Sequence, residues 1–123
     1  MNSTTDILKK MEKNAKLYDK PIYKIGLCEG RHPLPVNEYV FGSVIEDPTD
    51  VDGLEEVAEE FFRNLIPNCL LELYVTGLSV ALIAAINVAS KYINIKNIVL
   101  MHYDSKTNTY YPQFLNNLDN KDN

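Results

Sequence analysis

Residues 70–104, LLELYVTGLSVALIAAINVASKYINIKNIVLMHYD, decide the fold. An apolar run breaks at Thr76-Gly77, a helix-length apolar segment follows, and a second apolar run ends in His102-Tyr103-Asp104. That is the layout of a strand, a tight turn, a crossover helix and a parallel strand. The spacing predicts strands over 69–75 and 97–103 and a helix over 79–92. In such a unit the turn after the first strand holds the helix's unpaired N–H groups at the carboxyl edge of the sheet, where anions bind. A nucleotide or phosphate site at Thr76-Gly77 is the first expectation.

Upstream, Asp47-Pro48-Thr49-Asp50 is a helix-start cluster with Thr49 or Asp50 as the cap. Val51, Leu54, Val57, Ala58, Phe61, Phe62 and Leu65 then recur at helical spacing to about Asn64, with Glu55, Glu56, Glu59 and Glu60 facing outward. Residues 38–45 (EYVFGSVI), rich in aromatic and β-branched types, read as a strand, as do residues 22–28. Between them Arg31-His32-Pro33-Leu34-Pro35 carries two prolines and reads as a surface loop. Residues 3–20 form an amphipathic helix, with Ser3 and Asp6 resembling a capping box and Ile7, Leu8, Met11, Ala15 and Tyr18 on one stripe. It either packs on the domain edge or remains a partly disordered arm.

Downstream, Ser105-Lys106-Thr107-Asn108 is a turn, and residues 109–115 (TYYPQFL) return as an antiparallel edge strand that tolerates Pro112. The whole predicts a single α/β domain over 21–115. It is a small Rossmann-like three-layer domain, mostly parallel in its sheet with a C-terminal antiparallel edge strand. A helix or arm over 1–20 precedes it, and a polar tail over 116–123 reads as disordered.

Composition narrows the function. The net charge of −5 argues against duplex nucleic acid, whose binders need a basic face to displace counterions. Cys28 and Cys69 lie at strand edges outside any CxxC or Cys/His cluster, so they read as two buried thiols and argue against a zinc site. No segment resembles a signal peptide, and residues 75–89 are too short to span a bilayer, so the expectation is a cytoplasmic protein without membrane contact. The helix over 79–92 is apolar nearly all round. The sheet covers one side of it, and a second subunit is the economical cover for the other, which predicts a homodimer through this helix.

Three groups carry candidate chemistry. At Thr76-Gly77-Leu78-Ser79 the glycine permits close backbone approach, Ser79 caps the helix and the Thr76 hydroxyl donates to a phosphate oxygen; the plain alternative is a tight strand–helix turn. If the first strand runs parallel to the other two, the Gly30-Arg31-His32-Pro33 loop lies on the same sheet edge. There Arg31 offers a planar fork to phosphate and His32 a donor or general acid. His102 and Asp104 share one face of their strand and Tyr103 takes the other, so His32 and His102 are candidate acid/base groups. Tyr39, Phe41, Tyr74, Tyr110 and Tyr111 are available to stack a base or to pack the core. Asp47, Asp50 and Asp52 lack the spacing of a calcium loop. No metal or other cofactor is called for.

The segments Gly30-Arg31-His32-Pro33, Tyr74-Val75-Thr76-Gly77-Leu78-Ser79 with the Ala/Ile/Val-rich helix, and Ile98 to Tyr103 resemble the small CRISPR-associated Rossmann-fold (CARF-like) proteins. The likeness covers about a third of the chain. It implies binding of a cyclic oligoadenylate messenger across the two-fold axis of a homodimer, as a sensor or sponge in prokaryotic antiviral signalling. On that scaffold Arg31, Thr76, Gly77, Leu78, Ser79 and Tyr103 hold the ligand. Some members, the ring nucleases, linearise it; here His32 or His102 with Arg31 or Lys106 would serve, without metal. A third reading is a phage or mobile-element protein that inhibits a host defence protein by direct contact through the acidic 55–60 helix face.

Overall fold

A computed structural model describes residues 3–30 and 34–115. Five strands form one sheet: β1 (Ile22–Gly26), β2 (Glu38–Tyr39), β3 (Leu70–Tyr74), β4 (Ile98–Asp104) and β5 (Thr109–Phe114), in the order β2-β1-β3-β4-β5. β1, β2, β3 and β4 run parallel, and β5 returns antiparallel on β4. Three helices cover the sheet: α1 (Thr4–Leu17), α2 (Val51–Phe62) and α3 (Ser79–Tyr92). The parallel sheet, the crossover helix and the antiparallel edge are those predicted from the sequence.

The central strand β3 is buried at all five positions, as a parallel strand covered on both faces must be. Strand alternation separates two cores. On one face Ile25, Leu71, Leu73, Ile98 and Leu100 meet α2 and α3 through Ala58, Phe62, Ala81, Ala85 and Val88. On the other, Leu70, Tyr74, Val99 and Met101 meet α1 through Leu8 and Ala15. The N-terminal helix therefore packs on the sheet and completes the third layer. Ser3 accepts from the Asp6 N–H at 3.1 Å to start α1, and Asp50 accepts from the Gly53 N–H at 3.0 Å to start α2. Each such cap contributes about 1 kcal/mol.

Three expectations need correction. The strand predicted over 38–45 is only two residues long. Val40 and Phe41 donate to the Gly26 and Leu27 carbonyls, but Gly42 at φ +70° turns the chain away, and Ser43, Val44 and Ile45 become a loop. Ser79 does not cap α3: Leu78 occupies the cap position with no side-chain hydrogen bond, and Ser79 is the first helical residue. The side of α3 assigned to a second subunit is largely covered by α2, the two helices sharing a core rich in small residues such as Ala58, Ala81 and Ala85. Ile83, 55% exposed, is the large apolar residue of that helix left open, beside the exposed polar Ser79, Asn87, Ser90 and Lys91. The tail over 116–123 and the Arg31-His32-Pro33 segment lie outside the described residues.

Candidate functional site at the carboxyl edge of the sheet

β1, β3 and β4 all point their carboxyl ends to one edge, which gathers the segments that follow them. β4 loses its burial there, passing from fully buried at Met101 to half-buried His102 and exposed Tyr103. A cavity of about 590 Å³ opens at this edge. Cys28 and Gly30 after β1, Val75, Thr76, Gly77 and Leu78 after β3, and Tyr103 and Tyr110 from the β4–β5 hairpin all line it. Leu34, Val44 and Ile45 complete the apolar wall. Because β1 is parallel to β3, Gly30 and the Thr76-Gly77 turn stand on the same edge, as the sequence required of a joint site.

The turn is fixed by its own hydrogen bonds. The Leu78 N–H donates to the Thr76 carbonyl at 2.6 Å, and Val75 donates to Met101 of β4 at 3.0 Å. Gly77 adopts φ +36°, a left-handed conformation that a side chain would strain, although a Cβ there would meet open space. Backbone conformation, not crowding, is what selects glycine at this position. The Thr76 hydroxyl donates to the Cys28 carbonyl at 3.4 Å, so it ties the β3 end to the β1 end. α3 starts immediately afterwards, and the N–H groups of its first turn lack intrahelical partners.

The tyrosines form a row. The Tyr103 hydroxyl donates to Asn108 Oδ1 at 2.6 Å, and Asn108 holds the left-handed φ of 56° that closes the hairpin. The Tyr103 ring lies 5.4 Å from Tyr110, whose ring meets Tyr74 edge-on at 5.1 Å. Burial raises the Tyr110 hydroxyl above its usual range, with Tyr103 and Tyr39 adding to it. Burial likewise lifts the Tyr74 hydroxyl to about 12, so both stay neutral hydrogen-bonding groups. Tyr110 is the one of the five candidate stacking aromatics that lines the cavity. Tyr74 and Phe41 are core residues.

Cys28 is half-buried, not the fully buried thiol expected, while Cys69 is buried as predicted. Burial, and next the adjacent Glu29 carboxylate, push the Cys28 thiol upward, so it is a poor nucleophile in the cavity wall.

His102 stands apart from this cavity. Its Nε2 lies 2.7 Å from Gln113 Oε1, and its ring sits 5.4 Å from Tyr111 at a 31° tilt, on the sheet face opposite Tyr103. Lys106 is exposed in the hairpin turn, its N–H donating to Asp104 Oδ1 at 3.0 Å. The structure thus joins Thr76, Gly77, Leu78 and Tyr103 in one cavity and leaves His102 outside it. Arg31 and His32 lie outside the described residues, while Gly30 and Leu34 on either side of that segment both line the cavity. Sequence reading missed Leu34, Val44 and Ile45; Gly42 inside the run EYVFGSVI was the signal that it does not continue as a strand.

A second depression of about 680 Å³ lies between β2 and α2, with Glu38, Glu56 and Glu60 around Val57 and Phe61. Its carboxylates repel phosphate, whereas the described lining of the first cavity carries no charged side chain. Among the described residues no cluster of His, Cys, Asp or Glu is arranged to hold a metal, and no helix is long and apolar enough to cross a membrane. No family model, curated protein or solved structure matches the chain.

Proposed function

We propose that the chain binds a cyclic nucleotide or oligonucleotide messenger at the carboxyl edge of its sheet. One observation carries this reading: a cavity, its described lining uncharged, that brings Tyr103 and Tyr110 together with the Thr76-Gly77 turn at the start of a helix. A planar, neutral base gains from stacking on Tyr103 or Tyr110 and from burial against Leu34, Val44 and Ile45. A phosphate gains from the first-turn N–H groups of α3, where the helix dipole favours negative charge. Thr76 and Leu78 line the cavity, and Ser79 is the first residue of the helix beside it. The resemblance to CARF-like proteins supports the same ligand class and assigns Arg31 to a phosphate.

The described cavity lining lacks a histidine or a charged side chain, and His102 is engaged by Gln113 elsewhere.

Calorimetry against cyclic di-, tri- and tetranucleotides tests the reading. Heat with one of them, reduced at least ten-fold in affinity by Tyr103→Ala, is the expected result. No heat with any of them rejects it.

The acidic depression between β2 and α2 favours a second reading, a protein that inhibits a host defence protein by contact. Recovery of a stoichiometric, salt-sensitive complex that Glu56→Lys abolishes would favour it over messenger binding.

A further inference from the structure

Glu72 is the middle residue of the central strand and is 1% exposed, the one buried charged residue among those described. Alternation places it between Leu70 and Tyr74 on the face that α1 covers. Among the described residues, four elements surround it. Lys24 of β1 and Val99 of β4 are its register partners, Glu12 reaches it from α1, and Tyr74 on its own strand meets Tyr110 of β5. Its Oε2 has no hydrogen-bond partner.

An ionised carboxyl with a buried, unpaired oxygen is costly, and a second carboxylate beside it adds repulsion. The neutral acid removes both penalties, because it carries an O–H that donates to a Glu12 oxygen. Two carboxyls facing each other under a helix hold together only while they share a proton.

We propose that α1 is a proton-dependent latch, lying on the sheet while Glu72 is protonated against Glu12 and lifting from it when Glu72 ionises. The rest of the α1 contact is modest: Leu8 and Ala15 are its buried residues, Met11 is half-buried, and the opposite face carries Lys9, Lys10, Lys13 and Lys16. Burial first, then the bond and the charge of Glu12, raise the Glu72 carboxyl from 4.5 to about 8, against a smaller opposing pull from Lys24. A lifted helix returns Glu72 to water and to its ordinary value. Between pH 4.5 and about 8 lifting therefore releases one proton, and its equilibrium constant rises about ten-fold per pH unit before levelling off. Lifting bares the apolar strip of Leu70, Tyr74, Val99 and Met101. The latch requires no ligand in the carboxyl-edge cavity.

Hydrogen exchange of the full chain from pH 5.5 to 9, corrected for the intrinsic rate at each pH, tests it. The expected result is that protection of residues 4–17 falls about ten-fold per unit up to pH 8 while that of residues 79–92 holds. Glu72→Gln keeps an amide donor toward Glu12 and should hold α1 at its acid-pH protection throughout. Glu12→Gln, which presents an amide to the Glu72 carboxylate, should move the midpoint down by about one unit. A flat α1 profile in the native sequence overturns the proposal. So does equal loss of protection in α1 and α3, a slope that persists in Glu72→Gln, or an unmoved midpoint in Glu12→Gln.

Discussion

The two faces of the sheet are built on different principles. The α2/α3 face is closed by large and small apolar side chains fitted together, with Phe62 fully buried and its ring edge-on to Phe61 at 5.2 Å. The α1 face is closed by a single helix over a strip that includes a tyrosine and a carboxyl. The first face derives its stability from area removed from water, nearly independent of pH. The second depends on the protonation of one group.

The comparison breaks most visibly at Phe62. Phe62→Ala leaves a cavity in the tighter core and should cost about 3–5 kcal/mol in urea denaturation, whereas Leu8→Ala under α1 should cost about 2 kcal/mol. Equal losses would mean that the faces contribute alike.

A second test concerns pH. Glu72 has a folded-state value near 8 and an unfolded value near 4.5, so the folded chain holds the extra proton between them. Global stability should then fall as pH rises through this window, by at most about 1.4 kcal/mol per unit, the reverse of the usual behaviour of a paired carboxylate. Denaturation midpoints at pH 5, 6, 7 and 8 measure that slope, and Glu72→Gln should flatten it.

The helix caps sharpen the contrast on a smaller scale. Asp50→Ala removes the acceptor for Gly53 at the start of α2 and should lower global stability by about 1 kcal/mol. Ser3→Ala removes the matching bond in α1 and should cost about 0.5 kcal/mol, seen as faster exchange in the first turn with little change in the global midpoint. A larger global loss from Ser3→Ala than from Asp50→Ala would reverse the assignment of the weaker face.

Elements with strong periodicity were readable from the chain alone. The strand, turn and crossover helix between Leu70 and Tyr92 appear with boundaries shifted by a residue, because an apolar run stopped by Thr-Gly has few other solutions. The segment EYVFGSVI misled because β-branched and aromatic residues suit an apolar loop over a cavity as well as a strand, and one glycine decided between them. Of the candidate site residues, Thr76, Gly77, Leu78 and Tyr103 line one cavity because each lies at or just beyond the end of a strand. Val44 and Ile45 arrive from a loop whose path depends on tertiary packing. Glu72 was passed over inside LLELY, where a lone charge on a central strand is itself the anomaly. The second cover for α3 was misassigned because apolarity reveals that a face is buried, not by what.

Tyr110 belongs to both halves of the molecule: it lines the carboxyl-edge cavity and packs on Tyr74 in the α1-side core. A displacement of its ring on ligand entry would be felt beneath α1, two residues along the strand from Glu72. Linkage then works in both directions. A ligand that favours the docked helix takes up part of a proton when it binds, and its affinity rises by the same factor as the medium turns acid. The two faces, so unlike in construction, would in that case share one thermodynamic account through a single aromatic ring.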